Sequence, residues 1–248
     1  MLDWLLLPLS GSATHHVEPA VAWHARLMVL AWAVMLPLGA LVARYGKVLP
    51  GQDWPRQLDN PVWWHLHRVL QYGGVAIALV AVALMGWPAR AAAGGIGAHA
   101  GIGWLVLALG LVQVATGVLR GSKGGPTSAT LRGDHYDMSA RRRWFERVHK
   151  SLGWLAIGLT LPVIGLGLRA ADAPRWMPLL LALWWAVLAF AAWRLQRAGR
   201  CIDTYQAIWG PDPAHPGNRI APIGPGVRRP LLMPPPSSAQ PPARRGCD

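Results

Sequence analysis

VAWHARLMVLAWAVMLPLGALVARYGK runs from Val21 to Lys47 and places a histidine at the mouth of about twenty apolar residues. About 20 such residues are what a helix needs to cross the hydrocarbon core of a bilayer. Four further stretches are similarly long and apolar, three of them also opening on a histidine, so the chain reads as five spans, roughly 24–44, 63–87, 99–119, 149–168 and 176–193. They are too long for strands, and continuous apolarity suits helices, which satisfy their own backbone hydrogen bonds in lipid. Composition agrees. The chain is 53% hydrophobic and only 14% charged, where soluble domains carry about a quarter charged residues. The expected fold is an all-α membrane protein with five transmembrane helices.

The charges crowd between the spans. Segments 44–61 and 120–150 and the stretch after 193 hold 19 of the 24 Lys and Arg residues. With five alternating spans, these three segments share one face, which the positive-inside rule makes cytoplasmic. The N-terminus is then outside, in a multi-pass protein of the cell (inner) membrane. The net charge of +13 needs no nucleic acid to explain it, because topology already does. The opening MLDWLLLPLSGSATHH lacks a basic start and reads as an interfacial segment on the outer face. Cys201 and Cys247 lie on the cytoplasmic side, where a structural disulfide is not expected. The last forty or so residues are rich in proline and read as a tail without a core.

Four of the nine histidines begin a span: His24 in WHARLM, His67 in WWHLHRVLQ, His99 in GAHAGIGW and His149 in FERVHKSLGW. Successive spans run in opposite directions. The starts of the first and third therefore share one face, and the starts of the second and fourth share the other. This pairs His24 with His99 outside and His67 with His149 inside. An ionisable group in a span is costly and usually faces the bundle interior with a partner. Imidazole is also the commonest metal ligand. Two histidines facing each other from two helices form a haem-iron arrangement, whereas zinc wants four ligands. Small residues after the third and fourth histidines (Ala100, Gly101, Gly103, Gly153, Gly158) allow close approach, by a neighbouring helix or by a flat cofactor.

The stretches HARLMVLAWAVMLPLGALVARY, WWHLHRVLQ, HAGIGWLVLALGLVQ and RRRWFERVHKSLGW resemble the cytochrome b561 family, most closely the branch that also occurs fused to extracellular DOMON modules. They cover 24–168. The resemblance implies a four-helix core holding two b-type haems and electron transfer across the membrane. By position it makes His24, His67, His99 and His149 the axial ligands. His65 competes with His67; Gln71, four residues after His67, favours His67. Eukaryotic members have six spans, and five are counted here. The expected organisation is an outer segment 1–23, a di-haem core 24–168, a fifth helix 169–200 and a basic tail 201–248.

Ascorbate-reducing members hold the donor with basic residues at the cytoplasmic face. Arg68, Arg143, Arg147 and Lys150 lie where such a role, or the holding of haem propionates, falls to them. Ascorbate and quinol stand as rival reductants. The loop RGDHYDMSARRR brings Asp134, His135, Tyr136 and Asp137 to the same side, either to line a donor site or to cap the loop. Ferric-chelate reduction at the outer face, near Arg26, His15 and His16, is an alternative reading. So is a haem-free transporter, given Pro37 and Pro162 within spans. The expected partners are the bilayer and the reductant; a redox protein docking outside and a homodimer are left open.

Overall fold

The computed structural model describes residues 2–12, 17–86 and 97–230. In chain order they form α1 (Leu2–Leu6), α2 (Pro19–Tyr45), α3 (Val62–Ala83), α4 (Ala98–Val118), α5 (Ala140–Ala170), α6 (Trp176–Arg197) and α7 (Thr204–Trp209). Among the described residues, the five from α2 to α6 are long and apolar enough to cross a membrane. The all-α membrane fold read from the sequence is what forms.

Two helices start earlier than their apolar runs. Proline at the first turn of α2 fixes φ where no N–H is needed. At α5, Ser139 Oγ accepts from Arg142 N at 3.2 Å, which caps the helix ten residues before His149. Within α2, Val29–Met35 widens to a π-helix just before Pro37. Pro37 gives no N–H to the preceding turn and crowds its carbonyls. The Ala33 carbonyl on that turn instead accepts from Trp184 Nε1 of α6 at 2.8 Å.

Helices α2 to α5 form a four-helix bundle, with α2 packed mainly on α3 and α4 mainly on α5. Halfway along lies a shared core of Ala31, Trp32, Leu36, Val75, Ala78, Val106, Leu107 and Ala156. Gly110 makes room in it: a Cβ there would stand 3.1 Å from the Trp32 ring. Outside this bundle, α6 keeps Leu179, Leu180, Leu183, Val187 and Phe190 exposed, as a helix facing lipid does.

The loops 46–61 and 119–139 and the segment 198–230 lie on one face, here called the basic face. They fold together as a cap. Trp63 and Met138 meet Tyr205, Ile208 and Trp209 of α7, and Ile223, in one buried cluster. Asp203 pairs with Arg229 at 2.6 Å. Lys47 Nζ donates to Ile202 O at 2.9 Å. Gly217 passes so close to Tyr205 that a Cβ would stand 2.2 Å from its ring. Residues 211–230 of the proline-rich tail are thus ordered against this face, with Ile223 in the buried cluster, where composition alone gave the tail no core. Their core is shared with two distant loops, so no local pattern displays it. Residues 231–248 lie outside the described residues.

Candidate functional site

His24 and His99 approach from α2 and α4 near the far face, with ring centroids 6.4 Å apart and planes at 80°. His67 on α3 and His149 on α5 both line a cavity of about 570 Å³ that opens toward the basic face. From His24 to Gly39, and from His67 to Ala81, the chain advances 14 to 15 residues. At 1.5 Å per residue the two pairs sit roughly 21–23 Å apart along the bundle. The Trp32–Val75–Gly110–Ala156 layer lies between them.

Each histidine is held through Nδ1 by the neighbouring helix of its own pair. His24 bonds Ala81 O, His67 bonds Gly39 O and His99 bonds Val163 O, all at 2.9 Å. His149 bonds Thr116 Oγ1 at 3.0 Å. Helix ends explain one of these acceptors. At the close of α3, Met85 N turns to Val82 O, which leaves the Ala81 carbonyl for His24. A carbonyl only accepts, so Nδ1 carries the hydrogen at His24, His67 and His99, and Nε2 keeps its lone pair.

These residues fit an iron with two axial imidazoles. Nitrogens about 2 Å from a metal on opposite sides put the ring centroids roughly 6 Å apart, as His24 and His99 are. The ring partner fixes tautomer and orientation in such sites. Gly167 stands where a Cβ would be 2.8 Å from His99 Cε1, so this helix–ring contact needs glycine. Among the described residues no three His, Cys, Asp or Glu side chains converge, and a four-ligand zinc site is not built.

His65 is exposed, while His67 faces the cavity, which separates the two rivals for the second position. Arg68, Arg147 and Lys150 line the cavity; Arg143 is not among its lining residues. Its neighbour Arg142 takes that place, buried and paired with Glu146 at 3.1 Å. Lys150 reaches Glu146 at 2.6 Å and Ile223 O at 2.9 Å. Lys47 also lines the wall; burial, then the Lys150 charge, lowers its ammonium to about 8. Sequence reading missed Arg142 and Thr116 because helix phase, not residue type, turns them inward; Lys47, in the loop after α2, is held at the wall by its bond to Ile202 O. His15 and His16 lie outside the described residues.

The Asp134–Asp137 loop is built as a cap. Asp134 accepts from Ser139 Oγ at 2.7 Å and from Ser122 N at 3.0 Å, and these bonds hold its carboxyl below the usual range. His135 is buried against Tyr205 and Trp209. Burial, and then the Arg142 charge, push it down to about 3. The unfolded chain binds this proton below about 6.5, but the folded cap resists it until about 3. Stability is therefore whole above 6.5 and drains away as pH falls from 6.5 toward 3. We expect the cap's trypsin resistance to fall over that window, and His135→Gln to flatten the fall. An unchanged pH profile in that variant would assign the acid sensitivity elsewhere.

No family model and no solved structure matches the chain. Curated relatives do. A cytochrome b561 and DOMON domain-containing protein of Arabidopsis thaliana is 30% identical over 149 residues, 60% of this chain and 31% of its own length. Ferric-chelate reductase 1 of Homo sapiens is 27% identical over 146 residues, 56% of this chain and 23% of its own. A cytochrome b561, DM13 and DOMON domain-containing protein of Arabidopsis thaliana is 28% identical over 165 residues, 64% of this chain and 16% of its own. The chain thus spans about a third or less of the length of these relatives.

Proposed function

We propose that the chain, which is similar to cytochrome b561 and DOMON domain-containing proteins, carries electrons across a membrane through two b-type haems. His24 and His99 hold one, and His67 and His149 hold the other. The observation that carries this reading is the 6.4 Å separation of the His24 and His99 rings, repeated in kind by two cavity-facing histidines at the opposite face.

Each haem, when bound, takes up and gives back one electron at its iron. The chain does the rest. His24 with His99, and His67 with His149, would each offer a haem iron two imidazole nitrogens. Hydrogen bonds from Nδ1 to neighbouring helices hold the rings in place. Apolar residues such as Trp32, Leu36, Val75 and Ala156 line the deep wall of the His67–His149 cavity. Arg68, Arg142, Arg147, Lys150 and Lys47 gather positive charge at its mouth, suited to haem propionates or an anionic donor.

The basic face is cytoplasmic in this reading, with the N-terminus outside the inner membrane. A small reductant, ascorbate or quinol, delivers electrons at that face, and an acceptor leaves with them at the other. Ferric chelate is the second candidate acceptor, supported by the relatives of that name. A redox protein docking at the outer face is a further candidate acceptor. Vesicles holding the protein and trapped ferricyanide test the function. Ascorbate or a quinol added outside should bleach the ferricyanide, and a His24→Ala/His67→Ala variant should not. Equal bleaching by both, or none by the native chain, would sink the proposal.

A further inference from the structure

Three of the four histidine rings end on backbone carbonyls; the fourth, His149, ends on a side chain. Thr116 Oγ1 lies 3.0 Å from His149 Nδ1 and donates its own hydrogen to Gln113 O at 3.1 Å. The Gln113 side-chain amide is the other polar group beside the ring. With its oxygen accepting from Gly153 N at 3.2 Å, its nitrogen donates to His149 O and, where Nδ1 bears no hydrogen, to Nδ1, both at 3.0 Å. A metal on Nε2 puts the hydrogen on Nδ1, and the amide bond to Nδ1 is then lost. The Thr116 hydroxyl, whose own hydrogen goes to Gln113 O, is left to accept from Nδ1.

We propose that Thr116 is a positioning residue that sets the electron-donor strength of His149, and with it the redox poise of the His67–His149 site. The inference rests on the two-haem reading above. The group that accepts from Nδ1–H governs how basic Nε2 is toward a metal. A backbone carbonyl pulls more strongly on that hydrogen than a hydroxyl does, even one that strengthens itself by donating onward. His149 is then the weakest donor of the four. A weaker donor favours the reduced iron. Cations lining the same cavity, Arg142, Lys150 and Lys47, act in the same direction. The His67–His149 site should therefore have the higher potential of the two.

An optical redox titration of the full-length purified protein, with haem counted per chain, tests this. Thr116→Val removes the acceptor and keeps the shape, and Thr116→Ser keeps the acceptor. The expected result is that Thr116→Val raises the reduced-to-oxidised ratio of one haem at least threefold at fixed potential. At 59 mV per tenfold for one electron, that is about 28 mV upward. The other haem should stay put, and Thr116→Ser should match the native protein. Loss of one haem in Thr116→Val, with both retained at native potentials in Thr116→Ser, would also support the role. Two haems at native potentials in Thr116→Val, or an equal shift in Thr116→Ser, would overturn it. A native chain without haem would overturn the two-haem reading, and this inference with it.

Discussion

Replacing His99 with alanine is expected to halve the haem content of the chain, not abolish it. His99 faces His24 across 6.4 Å, and its loss leaves one imidazole where two are needed. The other proposed site, His67 on α3 with His149 on α5, lies roughly 21–23 Å further along the bundle and shares no residue with the first. Sites that far apart with no shared partners respond almost independently. His149→Ala should remove the other haem, and the double variant should remove both. The Val163 carbonyl that His99 leaves behind remains within α5, so the bundle should still assemble. Haem per chain by pyridine haemochrome, beside the elution volume in detergent, reads the result. A single variant that keeps both haems would break the pairing of α2 with α4.

Removing Glu146 should be among the most damaging changes away from the histidines. Its carboxylate is buried between Arg142 Nε at 3.1 Å and Lys150 Nζ at 2.6 Å. Breaking a buried ion pair by deleting one partner costs about 3–5 kcal/mol, because the remaining charge stays buried. Lys150 is partly exposed and still reaches Ile223 O; Arg142 is buried and has no such escape to water. Glu146→Leu should lower the thermal midpoint of the detergent-solubilised protein. Arg142→Leu on the same chain should recover much of the loss, since replacing both partners with apolar groups is often neutral. If Glu146→Leu melts with the native protein, the ion pair carries no weight in the fold.

The spans and the pairing of histidines were legible because both depend on simple periodic facts: the length of an apolar run, and the alternation of helix direction. Helix boundaries were less so. The stretch RRRWFER is charged, yet α5 begins before it, because Ser139 caps the helix and Arg142 and Glu146 neutralise each other inside it. Of the four basic residues expected at the site, Arg143 alone does not line the cavity: neighbouring positions on a helix differ by about 100°, and Arg142 holds the inward one. The cap was illegible. Tyr205 and Trp209 find their core on Trp63 and Met138, which lie far away in the chain, while the prolines that follow read as a tail without a core, at most partly ordered against that face. Thr116 carried no signal either, since a hydroxyl in an apolar span reads as packing until a ring nitrogen is found 3.0 Å away.

The most direct test of the central claim is a dithionite-reduced minus oxidised spectrum of the purified full-length protein, with haem quantified per chain. Paired histidines at both faces require two b-type haems per chain, each six-coordinate and unreactive toward carbon monoxide. No haem, or haem that persists unchanged when His24 and His67 are both replaced, would contradict the account.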